Sequence, residues 1–118
     1  MIKIWVDDER PMPEGYDKHI KTVWHALLYL GNLFRYLAEC SPSYRESVYL
    51  DLDHDASDEY VVEGGDYINI LKALACLKEY FPRAWGEPIK VHFHSANPVG
   101  VKNMRAIVEN CPWMEEAK

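Results

Sequence analysis

Three short apolar runs in this 118-residue chain each stop abruptly at a cluster of polar, chemically capable side chains. Ile2 to Val6 ("IKIWV") runs into Asp7-Asp8-Glu9-Arg10. Ser47 to Asp53 ("SVYLDLD") runs into His54 and Asp55, and Ile89 to His94 ("IKVHFH") into Ser95, Ala96, Asn97 and Pro98. Runs of β-branched and aromatic residues bounded by polar and turn-forming residues read as strands. "HIKTVW" is a weaker strand candidate, set off from the first by a loop containing Pro11, Pro13 and Gly15.

Helical periodicity fills the intervals. Leu27, Leu30, Phe34 and Leu37 share one face of a helix from Thr22 or Trp24 through about Cys40, with a weak middle at Gly31-Asn32 and a stop at Ser41-Pro42-Ser43. Tyr67, Ile70, Leu71, Leu74, Leu77 and Phe81 mark a second helix, capped by Asp66 after Gly64-Gly65. Pro98 to Asn110 is a third, with Asn97 as cap and Pro98 in its first turn. The order β, β, α, β, α, β, α predicts an α/β fold in three layers: a mainly parallel sheet with helices on both faces. Ligands of such sheets bind beyond the carboxyl ends of the strands. The three polar clusters stand at those ends.

Composition narrows the partners. The length and a 48% hydrophobic content suit one compact domain over residues 1–118. Thirteen basic against nineteen acidic residues give a formal charge of −6, which disfavours duplex DNA and other long nucleic acids. No stretch approaches the roughly 20 apolar residues that span a bilayer, and "MIKIWVDDER" lacks a signal-peptide design. A cytoplasmic protein without membrane association is expected. Cys40, Cys76 and Cys111 have neither even number nor CxxC spacing, so they read as buried or half-buried free thiols.

Carboxylates gathered from neighbouring strands repel one another unless a cation lies between them. Hard oxygen donors of this kind suit Mg²⁺ or Mn²⁺. At the third cluster Ser95 offers a hydroxyl, and the N–H groups of Val99, Gly100 or Val101 offer an anion site at a helix start. His94 can exchange a proton near neutral pH. His92, two residues deeper, reads as structural, and His19 and His25 lie outside the clusters. Arg10 either clamps a phosphate bidentately or pairs with the surrounding acids.

The "DD" after the first strand, the Asp ending "YLDLDHD" and the Ser-Ala of "HSA" resemble the phosphoacceptor site of response-regulator receiver domains, whose fold is flavodoxin-like. More specifically, "WVDDERPMP", "LDHD" followed by Gly-Gly-Asp, and "HSANPVGVKNM" resemble the divergent cyclic-phosphate processing receiver domains. The resemblance implies that Asp7, Asp8 and Asp53 hold the metal. It also makes Asp53 the receiver-type acceptor and Ser95 the receiver hydroxyl. His54, Asp55, His94 and Asn97 match the divergent group's own pattern. Catalytic candidates are therefore Asp53, His54, His94 and Ser95, with Arg10, Asp55, Asn97, Gly100 and Asn103 as substrate-binding candidates. Ordinary receivers carry a Lys at the end of a fifth strand. In "RAIVENCPWMEEAK" no fifth strand with a terminal Lys is evident, which points away from phosphorelay.

The function expected on these grounds is metal-dependent hydrolysis of a cyclic phosphate, on a 2′,3′-cyclic nucleotide or an RNA end. His94 or His54 would move the proton, and Asp53 would act as ligand or nucleophile. The alternative is a non-enzymatic receiver-like module that binds a phosphorylated ligand or a protein partner, for which Trp85 and Trp113 offer aromatic surface. A nuclease is a third reading, and the overall acidity weighs against it.

Overall fold

A computed structural model describes residues 1–40, 46–54, 66–77 and 87–117. Within them, β1 (Ile2–Val6) and β2 (Lys18–Ile20) precede α1 (Val23–Glu39) and β3 (Val48–Leu52). Then follow α2 (Ile68–Leu77), β4 (Ile89–Phe93), α3 (Pro98–Glu109) and β5 (Met114–Glu116). The strands form one sheet in the order β2-β1-β3-β4-β5, parallel at every pairing. This is the receiver-like (flavodoxin-like) α/β fold expected from the alternation of elements.

Local signals set the helix starts. The Thr22 side chain accepts a hydrogen bond from the His25 N–H at 3.0 Å and caps α1. Asn97 caps α3, with Pro98 at its first turn, as the sequence suggests. Along α1, Val23, Ala26, Leu30, Phe34 and Leu37 are buried, while Leu27 is only partly so. That apolar face outweighs the cost of Gly31 in mid-helix, about 1 kcal/mol. In and before α2, Tyr67, Ile70, Leu71 and Leu74 are buried; Phe81 lies outside the described residues. Of the cysteines, Cys111 is buried and Cys40 half-buried, but Cys76 is exposed, contrary to expectation.

Two features depart from the sequence reading. The first is β5, which sequence alone does not reveal. Its three residues, Met-Glu-Glu, carry no strand pattern, and they are recruited by tertiary pairing instead. Ile89 N–H donates to Trp113 O at 2.9 Å and Ala117 N–H to Val91 O at 2.8 Å. Met114 is buried, Lys90 pairs with Glu115, and Arg105 grips Glu116 through two hydrogen bonds of 2.8 Å. Lys118 lies outside the described residues.

The second is the layering. Through the sheet order, the connections β2→β3, β3→β4 and β4→β5 all step the same way, and right-handed crossovers therefore place α1, α2 and α3 on one face. Ile4, Val6, Leu50, Leu52, Ile89 and Val91 point to that face and share one core with the buried residues of all three helices. Only β1→β2 steps backwards, and it does so through the Pro-rich loop, too short and too broken to form a helix. On the second face, among the described residues, that loop replaces the expected helical layer.

Leu50, fully buried on a central strand, and Leu28, more than half exposed on α1, test this assignment of faces. Leu50→Ala should cost about 2–5 kcal/mol in urea denaturation, and Leu28→Ala should stay within about 0.5 kcal/mol of wild type. Similar losses at both would overturn the placement of the core.

Candidate functional site

The parallel register stacks the polar strand positions in rungs on the face away from the helices. Trp5 lies beside Asp51, and Asp51 beside His92. The ladder continues past the strand ends: Asp7 N–H donates to Ile20 O, Asp53 N–H to Val6 O at 3.0 Å, and His94 N–H to Leu52 O at 3.0 Å. Asp7, Asp53 and His94 thus come side by side at the carboxyl edge, where the three sequence clusters were expected to meet.

Asp7 is the centre of this edge and has no solvent exposure. Its Oδ1 accepts from the backbone N–H groups of Glu9 (2.8 Å) and Arg10 (2.9 Å). Its Oδ2 faces His94 Nε2 at 2.9 Å and accepts from Arg10 Nη1 at 3.2 Å. Burial alone would raise the carboxyl pKa; the two backbone donors and His94 outweigh it, and Asp7 is held below the ordinary carboxylate range. Its main-chain carbonyl lies 2.7 Å from His19 Nε2. His19, which the sequence places outside the clusters, therefore braces the β1 end from the edge strand.

One oxygen from each of Asp7, Asp8 and Asp53 lies within 4.8 Å of the others. Three convergent hard oxygen donors fit Mg²⁺ or Mn²⁺, with water completing the coordination. Asp53 is nearly buried. Its Oδ1 accepts from the His54 N–H at 2.8 Å, and its Oδ2 lies 3.6 Å from Arg10 Nη1. Arg10 also donates to the main-chain oxygen of His94 at 3.2 Å, so a single guanidinium touches the ends of β1, β3 and β4. Tyr67 roofs the acids from the start of α2. Burial, with the charges of Asp8, Asp7 and Asp53, pushes its phenol well above the ordinary value, and its hydroxyl donates to Lys21 O.

The start of α3 builds the seat of His54. Asn97 Oδ1 accepts from Gly100 N–H at 2.9 Å, and Val101 N–H closes on Asn97 O at 3.0 Å. Two of the three donors expected to bind an anion are therefore committed to the cap. Asn97 Nδ2 lies 3.5 Å from His54 Nδ1. A Cβ at Gly100 would fall 2.3 Å from the His54 ring, so only glycine lets the imidazole pack against the helix backbone. Ser95 Oγ accepts from Asn97 N–H at 3.1 Å, which fixes the turn into α3 and leaves the hydroxyl proton to point elsewhere. Asn103 is exposed on the next turn of α3, and Asp55 lies outside the described residues.

Asp51 is the residue that sequence reasoning missed. It is buried in mid-strand. Its Oδ1 lies 2.6 Å from His94 Nδ1 and 2.9 Å from His92 Nδ1, and its Oδ2 accepts from the Tyr16 hydroxyl. These donors hold it below the ordinary carboxylate range although burial alone would raise it. The signal was present in "DLD" on β3 and "HFH" on β4, since period-two spacing on adjacent strands aligns two acids with two histidines. His92, read from sequence as structural, is held by this hydrogen bond and lies beside the Tyr49 ring, its side chain being 44% exposed.

His94 is thereby fixed on both ring nitrogens between Asp51 and Asp7, and its ring lies flat on Trp5 with centroids 3.8 Å apart. Burial alone would lower its pKa; the hydrogen bonds and charges of Asp51 and Asp7 prevail and raise it. The sign of the stability effect follows. Stabilisation from His94 is complete below its unfolded pKa, about 6.5, and is lost as pH rises through the raised folded value. Asp7 and Asp51 stabilise above about 3.9 and lose that contribution as pH falls through their depressed values. Thermal melts with chelator present should show a plateau between these limits and an alkaline decline that His94→Gln flattens. Equal alkaline slopes in both proteins would remove His94 as the paired cation.

Neither the curated proteins nor the solved structures contain a significant match to this sequence. The family model described as the cyclic-phosphate processing receiver domain matches residues 2–110. That span contains all three strand-end clusters and the whole of the Asp7, Asp8 and Asp53 group. The chain belongs to the cyclic-phosphate processing receiver domain family.

Proposed function

We propose that this domain is a divalent-cation-dependent phosphoesterase that opens a cyclic phosphate, on a 2′,3′-cyclic nucleotide or a short RNA end. The observation that carries this reading is the three-carboxylate group lying beside a histidine seated on the start of α3. Asp7, Asp8 and Asp53 would hold Mg²⁺ or Mn²⁺, which when bound neutralises the carboxylates and polarises a nonbridging phosphate oxygen. Ser95 would donate its hydroxyl proton to a second phosphate oxygen, and Arg10 would reach the same anion from the rim.

Proton movement falls to His54. Both nitrogens of His94 face carboxylates, so its work is to hold Asp7 and Asp51 in place. In the hydrolytic route a water oxygen bonds to phosphorus as His54 takes its proton. The ester P–O bond breaks, and the departing oxygen receives a proton from the imidazolium. In a second route the Asp53 carboxylate attacks phosphorus, one ring P–O bond breaks and its oxygen takes a proton from the His54 imidazolium. Water then attacks phosphorus, gives a proton back to His54 and releases the Asp53 carboxylate. Receiver family membership supports Asp53 as the acceptor in that route.

Phosphorus NMR with Mn²⁺ and 2′,3′-cyclic nucleotides tests the proposal. Wild type should yield a phosphomonoester, and His54→Ala should be slower by about 100- to 10,000-fold while keeping its fold. Gly100→Ala should slow turnover by displacing the same ring and leave Mn²⁺ affinity intact. Absence of turnover by wild type, together with stable labelling of Asp53 by acetyl phosphate, would replace the enzyme with a receiver-like module that signals to a protein partner.

A further inference from the structure

Arg10 already stands against two of the three acids that could hold a metal. Asp7 Oδ1 is committed to two backbone N–H groups, and Asp53 Oδ1 accepts the His54 N–H. Oδ2 of each makes no main-chain bond: Asp7 Oδ2 faces His94 Nε2 at 2.9 Å and Arg10 Nη1 at 3.2 Å, and Asp53 Oδ2 lies 3.6 Å from the same Arg10 nitrogen. A divalent ion held by Asp7, Asp8 and Asp53 would compete with the guanidinium for the same negative charge and repel it at close range.

Arg10 is also built to leave. Its side chain is 45% exposed, whereas its main chain is anchored on both sides: its N–H donates to Asp7 Oδ1, and its carbonyl accepts from Trp5 Nε1 at 3.2 Å. The guanidinium can therefore swing outward without disturbing the turn. Its third contact, the exposed main-chain carbonyl of His94, immediately precedes Ser95 in the chain.

We propose that Arg10 is an exchangeable cation: it neutralises Asp7 and Asp53 when no metal is bound, and a divalent ion displaces it to the rim, where it grips the substrate phosphate. The two roles open to Arg10 from sequence, acid partner and phosphate clamp, are then successive positions of one side chain. The inference rests on the metal-binding part of the proposed function and is independent of whether turnover follows. One substitution should consequently act with opposite signs on two ligands. Loss of Arg10 removes a competitor for the metal and a donor for the anion.

The experiment uses the whole chain, with Mn²⁺ binding measured by titration calorimetry and by the electron paramagnetic resonance of free Mn²⁺. Orthophosphate binding is then measured at saturating Mn²⁺. Arg10→Gln should tighten Mn²⁺ by about tenfold and weaken orthophosphate by about tenfold. Arg10→Met, of similar length and without a metal-binding oxygen, should give the same two signs and exclude a ligand supplied by the new amide. Circular dichroism melts check that both variants fold. Unchanged or weaker Mn²⁺ binding in both variants would overturn the exchange. So would tighter Mn²⁺ with unchanged phosphate binding, which would make Arg10 a counter-ion alone. No Mn²⁺ binding by any of the three proteins would overturn it as well. Failure of the enzyme reading would show separately, as intact binding without turnover.

Discussion

The carboxylate of Asp7 is a charge without solvent, and the carboxyl edge of the sheet is arranged around keeping it ionised. A buried charge that lacks partners costs several kcal/mol, so four donor groups converge on its two oxygens: two backbone N–H groups, one guanidinium and one imidazole. Each partner brings another element with it. The N–H groups fold the Glu9–Arg10 turn back on β1, Arg10 reaches β3 and β4, and His94 ties β4 to Asp51. With the main-chain carbonyl of Asp7 beside His19, one residue links four adjacent strands.

The same requirement explains why polar side chains run so deep on the face away from the helices. Two acids, Asp7 and Asp51, flank one imidazole, and each needs further donors because one cation cannot neutralise both. Asp51 finds them in His92 and Tyr16, and Tyr16 is carried by the loop that crosses that face. Tyr16 meets Trp5 edge-on at 5.4 Å and lies under the Lys3 ammonium at 4.5 Å. The Pro-rich connection between β1 and β2 therefore does two things. It substitutes for a helix in covering the sheet, and it supplies a hydroxyl to a buried carboxylate.

How much of this was legible in the sequence depends on whether the signal was periodic or relational. The helical stripes of α1 and α2, the Asn97-Pro98 start of α3 and the polar strand ends all follow from spacing within one segment. The fold class and the meeting of Asp7, Asp53 and His94 could be read from them. Features that depend on two segments at once were harder to see. β5 exists because Ile89 and Val91 of β4 offer backbone partners to the Trp113 carbonyl and the Ala117 N–H that flank it. The one-sided placement of the helices follows from the direction of successive crossovers, which requires the strand order. Asp51 looked like one more residue of a buried strand until the register set it beside His92.

His94 shows how that relational information alters chemistry. In the sequence it stands beside Ser95 and has the ordinary credentials of a proton carrier. In the fold its two nitrogens point at two carboxylates and its ring is stacked on Trp5, so protonation serves to neutralise the acids. A group held between two buried anions has little to gain by giving its proton to a substrate. His54 is fixed differently. It packs against Gly100 and lies 3.5 Å from the Asn97 amide nitrogen. The two histidines thus differ in environment: His94 is wedged between two buried acids, and His54 rests against the start of α3.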